Sequence, residues 1–395
     1  MTTLTSFRIK TAGLSLFIIL VLGPACAVCQ QRVPTSYPCE RVQLSETLSW
    51  IFSVDWALGG GPDRILGIQS SDGRLYQIGL DGTVSEKSPV ATPLDRVNRI
   101  SAIQRLPHSK RYIIENEGAW SSTFLVTDAE FVVIAEYTGT GRLDAVGREL
   151  KIIWSWVLDE SQSRIVAFAD LQDGSEFKSA FVTFFLAGNA FSVVGEEFEL
   201  HSSMRTLNRL RYQYAVPGPE FSIIYLAMSD DEVTLYSIKT DFKTHKNVPY
   251  RTLPLSNLHA VRMPVLYGPT SLARVFAALT DQDFVSGIYI WEDRLFVLTL
   301  SNTPFGDTMK RWSLIEIDPD TGEEIAKFLL PSRAPHLMVV PGDRHWAIIE
   351  KGPVFEKPSR DQYVNFFWLI PAELMRNPQI VRSASPEYEC PWEKR

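Results

Sequence analysis

Beyond Glu40 the chain is dominated by short runs rich in Val, Ile, Phe, Tyr and Trp, each bounded by Asp, Gly, Ser or Pro. Helical periodicity is nearly absent, so these runs predict β-strands rather than helices. The runs come in pairs: Arg64–Ile68 with Arg74–Ile78, Arg111–Ile114 with Thr123–Val126, and Arg164–Phe168 with Ala180–Phe185. Three further pairs are Ser222–Leu226 with Val233–Ile238, Arg294–Leu298 with Trp312–Ile317, and His345–Ile349 with Asn365–Ile370.

A third apolar run precedes most pairs, as at Ile100–Leu106, Lys151–Leu158, Leu207–Tyr214 and Leu337–Val340. A fourth follows, as at Thr83–Ser85, Phe131–Tyr137 and Glu324–Leu330. Four strands per unit, with units roughly 50–70 residues apart, predict an all-β, six-bladed β-propeller of four-stranded antiparallel blades. Seven blades is the alternative, with the extra unit between Ser222 and Arg294. The sixth unit has no fourth strand of its own after Ile370, and the segment before Leu48 is expected to supply it.

Arg8 and Lys10, an apolar run from Leu14 to Leu22, and small residues ending at Ala27 have the layout of a secretory signal. Residues 1–27 are therefore expected to be a signal peptide and residues 28–395 a single propeller domain. The expected location is secreted or periplasmic. A lipid tether at Cys26 is the alternative, although Gly23 stands where such signals usually carry Leu. No segment of the mature chain is apolar for the roughly 20 residues a membrane helix needs.

Cys39 and Cys390 lie towards opposite ends of the mature chain and are expected to form a disulfide in an oxidising compartment. The formal net charge of −7 becomes more negative when the signal is removed, which argues against nucleic acid as a partner. No linker or charge tail divides the chain, in keeping with a single domain, and a monomer is expected.

The segment Trp312-Ser313-Leu314-Ile315-Glu316-Ile317-Asp318-Pro319-Asp320-Thr321-Gly322-Glu323-Glu324 resembles the hairpin between the two outer strands of a blade in six-bladed propellers of the NHL-like and TolB-like group. The resemblance is one of architecture and extends over nearly all of the mature chain. It implies a scaffold shared by binding proteins, lactonases and peptidase-associated domains, so it selects no reaction. Asp318–Gly322 itself has the residues of a tight turn.

Neither a G-x-S-x-G nucleophile elbow nor an H-E-x-x-H zinc helix occurs. Candidate binding groups lie where chains enter inner strands, at Asn98, Arg99, Arg209, Arg333 and His336, and in the loop Glu115-Asn116-Glu117 with Trp120. In an antiparallel blade these positions share one rim, and loops on a rigid rim are where ligands are commonly held. The expected function is an exported binding propeller for a protein, peptide or polar small molecule, without a cofactor. The alternative is a Ca²⁺-assisted hydrolase or lactonase, with Glu115 or Asn116 on the ion and His336 as base. Interblade salt bridges or turn caps at the arginines, and solvated charge at Glu115–Glu117, are the competing structural readings.

Overall fold

The computed structural model describes residues 39–49, 51–57, 63–69, 73–87, 100–106, 109–117, 122–139, 149–159, 164–173, 176–187, 190–193, 198–199, 214–218, 222–228, 232–241, 246–255, 258, 284–302, 310–330, 332, 336–351 and 363–377. All of these residues belong to one compact unit, Pro38–Arg382.

Six antiparallel blades make the ring. The first is β2 (Ile51–Trp56), β3 (Arg64–Gln69), β4 (Leu75–Gly79) and β5 (Val84–Lys87). The second is β6 (Ile100–Leu106), β7 (Arg111–Glu117), β8 (Ser122–Thr127) and β9 (Val133–Gly139). In the third, β10 (Glu149–Asp159), β11 (Arg164–Asp173) and β12 (Glu176–Ala187) are followed by β13 (Ala190–Val193) and β14 (Phe198–Glu199), which both pair with β12. Because β13 also pairs in parallel with β9, the second and third blades share one continuous sheet.

The fourth blade is β15 (Ala215–Pro217), β16 (Ile223–Met228), β17 (Val233–Asp241) and β18 (Lys246–Pro254). Its first strand lies just beyond the Leu207–Tyr214 run expected to form it; of that run only Tyr214 is described, buried and outside the strand. The fifth is β19 (Phe284–Trp291), β20 (Arg294–Asn302), β21 (Lys310–Ile317) and β22 (Glu324–Leu329). The sixth is β23 (His336–Val340), β24 (His345–Lys351) and β25 (Tyr363–Pro371), with β1 (Glu40–Ser49) as its outer strand. A short helix, α1 (Ala372–Arg376), follows β25.

The strand patterns follow from position in the blade. β3 is buried at its four central residues, because a middle strand is covered by a neighbouring blade on each face. At the outside, β1 alternates buried with exposed positions and β22 buried with half-buried ones over part of their length. First strands touch one another around the ring: β2 contacts β6 and β23, β10 contacts β6 and β15, and β15 contacts β19.

Apolar side chains fill the seams between blades. Leu66, Ile68 and Leu75 of the first blade pack with Ile103, Tyr112 and Leu125 of the second. On the other face of the first blade, Ile65 and Ile78 pack with Val340, Ile349 and Phe367 of the sixth and with Val42, Leu44 and Leu48 of β1. Each such side chain contributes about 1.5–3 kcal/mol on burial. β1 is held further by its pairing with β25, by Gln43 Nε2 donating to the Asn365 carbonyl at 2.8 Å, and by Arg41 lying 3.8 Å over the Phe366 ring.

Trp156, Trp291, Trp346 and Trp368 are all buried, and Trp291 and Trp346 meet edge to face at 5.2 Å. The Asp318–Gly322 segment is a tight turn: Asp318 Oδ1 accepts from the Asp320 and Thr321 amides, and Gly322 takes the left-handed φ of 77°. Among the described residues, no helix is long and apolar enough to cross a membrane.

Candidate functional site

In a four-stranded antiparallel meander, the first and third loops open at one end of the blade and the second loop at the other. At the first of these ends, Asp63 and Arg64 begin β3, and the turn Gly79–Thr83 joins β4 to β5. The register pairs Arg64 with Gly79, which sets the guanidinium beside that turn.

The turn is built from its own polar atoms. The Gly79 amide donates to the Thr83 carbonyl at 2.8 Å, and the Gly82 amide donates to the Gly79 carbonyl at 2.9 Å. Asp81 Oδ1 accepts from the Thr83 amide at 3.0 Å and from Thr83 Oγ1 at 2.7 Å. These two bonds, with the charge of Arg64 adding to them, hold the Asp81 carboxyl below its usual range and keep it ionised. Gly82 has φ 85°, and a Cβ there would meet the Gln43 carbonyl of β1. Only glycine allows this approach, in which the Ser45 amide donates to the Gly82 carbonyl at 2.8 Å.

Behind Arg64 sits Gln77, buried in β4. With the Gln77 amide oriented to satisfy both groups, its oxygen accepts from Arg64 Nε at 2.8 Å and from Nη1. The guanidinium is thereby fixed in direction while Nη2 carries no bond among the described residues. Asp63 has no hydrogen-bond or ion-pair partner among them either. These groups, with Ser85 and Leu80, line a cleft of about 520 Å³. Leu66, Gln77 and Ser85 are in register across the blade, and Leu66 packs against the second blade. The cleft therefore opens on the face of the first blade that turns towards the second.

Polar contacts across the inner seams make the support stiff. Asp55 Oδ2 on β2 accepts from the Arg105 amide on β6 at 2.6 Å, and Trp56 Nε1 donates to the Val340 carbonyl on β23 at 3.1 Å. Trp156 Nε1 on β10 donates to Glu115 Oε2 on β7 at 3.0 Å. Tyr289, on β19, hydrogen-bonds the backbone of Val339, and burial pushes its phenol well above the usual range. The inner ring is thus pinned at several seams by polar side chains.

The residues singled out from the sequence fall differently. Glu115 and Asn116 lie in β7, not in a loop, and are only 3% and 8% exposed. The reading of Glu115 as solvated charge is corrected: its carboxylate meets the Trp156 indole across a seam. Glu117 and His336 lie in β7 and β23, but their side chains are outside the described residues, as are Asn98, Arg99, Trp120, Arg209 and Arg333. Among the described residues, no three His, Cys, Asp or Glu side chains gather in a group able to hold a metal ion. Cys39 is buried and disulfide-bonded, and Cys390 is outside the described residues.

Sequence reasoning passed over Asp63, Arg64, Gln77, Asp81, Thr83 and Ser85. One signal was there: second strands begin with arginine at Arg64, Arg111, Arg164 and Arg294. Two of these are plainly committed to structure. Arg164 is 1% exposed, and Arg294 gives Nε and Nη2 to Glu316 and Nη1 to the Met375 carbonyl.

No protein-family model matches the chain, and no curated protein does. Similar solved structures include a member of the DUF4221 family from Bacteroides vulgatus, 11% identical, with TM-score 0.42 over 84% of this chain and 98% of that one. Another is the PQQ-bound aldose sugar dehydrogenase of Streptomyces coelicolor, 12% identical, with TM-score 0.40 over 85% and 99%. The Dos1 propeller is 9% identical, with TM-score 0.41 over 81% and 78%. Likeness at this level carries no information about ligand or reaction.

Proposed function

We propose that the chain is an exported binding β-propeller that holds a polar small molecule or a peptide at the first-blade cleft. The observation that carries this reading is Arg64, oriented by the buried Gln77 and placed beside Asp63, with neither Nη2 nor Asp63 given a partner among the described residues. A site whose donors and acceptors are fixed before the ligand arrives loses little ordering entropy on binding. The layout of Arg8 to Ala27 supports export.

The test is a thermal-shift screen of the purified mature chain against neutral sugars, amino acids, dicarboxylates, short peptides and divalent cations, repeated on Arg64→Gln. A ligand whose stabilisation disappears in the variant supports the cleft. Stabilisation that survives Arg64→Gln but is lost in Arg99→Gln or Arg209→Gln moves binding to the rim and refutes the cleft. Export is checked by N-terminal sequencing of the secreted protein, with cleavage after Ala27 expected.

A further inference from the structure

We infer that the first-blade cleft takes a neutral polyhydroxylated ligand, a sugar or related vicinal diol; this rests on the cleft being the binding site. The argument is one of matching donors to acceptors. Asp63 and Asp81 offer only acceptor oxygens, Arg64 Nη2 offers only donors, the Thr83 hydroxyl, whose proton goes to Asp81, is left to accept, and the Ser85 hydroxyl does both. A ligand that uses the whole set has to donate and accept within a short span. Adjacent hydroxyls do this, since each can give its proton to a carboxylate while its oxygen accepts from the guanidinium.

The charge balance removes the competing classes. Two carboxylates stand against one guanidinium, so a dicarboxylate would meet net repulsion. A metal cation or an amine would satisfy the carboxylates but leave the remaining Arg64 donors facing positive charge. An amino acid would bring its own carboxylate to Arg64 between Asp63, next to it in sequence, and Asp81, whose charge already couples to Arg64. A neutral diol meets none of these penalties. The cleft of about 520 Å³ is within the range that holds small ligands, and Leu80 gives the carbon skeleton of a ring an apolar contact.

The experiment is calorimetric titration of the mature chain with glucose, galactose, mannose, maltose and inositol, in parallel with glycine, succinate and calcium chloride. At least one neutral polyol is expected to bind saturably, with an affinity that changes little between low and high salt, as for an uncharged ligand. The deoxy analogue of that polyol should bind roughly tenfold or more weaker, because it leaves a polar group of the site unpaired. Asp63→Asn and Ser85→Ala should each weaken binding by roughly tenfold. Asp63 has no structural partner among the described residues, so its variant should melt with the wild type. Binding of glycine, succinate or calcium instead of a polyol, lost in Asp63→Asn, overturns the ligand class while leaving the cleft as the site. Polyol binding untouched by both variants overturns the inference and moves the site. No binding by any probe overturns the inference and counts against the cleft.

Discussion

Trp156 Nε1 donates to Glu115 Oε2 at 3.0 Å across the seam between the third and second blades, and both side chains are buried. Glu115→Ala leaves the indole N–H without its acceptor in a site closed to water. The expected loss is about 1–3 kcal/mol, with Glu115→Gln milder because it keeps an acceptor oxygen. Urea unfolding of the two variants measures it. Unchanged stability in Glu115→Ala would return this carboxylate to the candidate ligand groups.

Asp55 gives a pH dependence. Its carboxyl accepts from the Trp56 and Arg105 amides, but desolvation outweighs those bonds and the charge of Arg105, so its pKa is raised. A raised carboxyl pKa means that the folded protein holds the proton more tightly than the unfolded chain. The stabilisation it brings is full below the ordinary aspartate pKa and is lost as pH rises through the folded value. Compared with Asp55→Asn, the wild type should therefore lose stability as pH climbs from the usual aspartate range towards neutrality. Denaturation series on both proteins at matched pH check the slope, and a wild type that gains stability over that window contradicts it.

Two arginine clamps near α1 should differ in weight. Arg294 holds Glu316, whose side chain is 6% exposed, at 2.6 Å, so Arg294→Ala leaves a buried carboxylate unpaired. The expected cost is on the order of 3 kcal/mol. Arg376 pairs with Glu292 at 2.5 Å, but both side chains are about two-fifths exposed and water screens them. Arg376→Ala should hardly move the melting temperature. Equal effects of the two substitutions would refute the distinction.

Gly82→Ala tests how β1 is fastened. The left-handed φ and the nearby Gln43 carbonyl leave no room for a methyl group, so the turn or β1 has to shift. A loss on the order of 1–3 kcal/mol is expected. Faster amide hydrogen exchange should appear first along β1, and exchange unchanged there would show that the turn yields instead.

Cys39 is disulfide-bonded, and its partner is expected to be Cys390. Peptide mapping without reduction should recover the two in one linked species. Closing so long a loop is worth roughly 4 kcal/mol or more in the chain-entropy account, so Cys390→Ser should lower stability markedly. Recovery of Cys39 joined to Cys29 would overturn the pairing.

The sequence by itself determined the blades. Runs such as Arg64–Ile68 and Arg74–Ile78, separated by turn residues, specify strand and hairpin locally, and their six-fold repetition specifies the ring. Turn chemistry was equally local, as at Asp318–Gly322, where one carboxylate and one glycine suffice. The destination of polar groups was not local. Glu115 reads as a loop acid until a tryptophan 41 residues away supplies the matching donor, and only the packing of two blades brings that indole to it. Arg64 reads as the first residue of a strand. The strand register brings it to Gln77 and Asp81, and that register is set by the cores on both faces of the blade. Alternation tells which residues share a face, but which neighbouring blade covers that face, and where cover ends and a cleft begins, is decided by the closed ring.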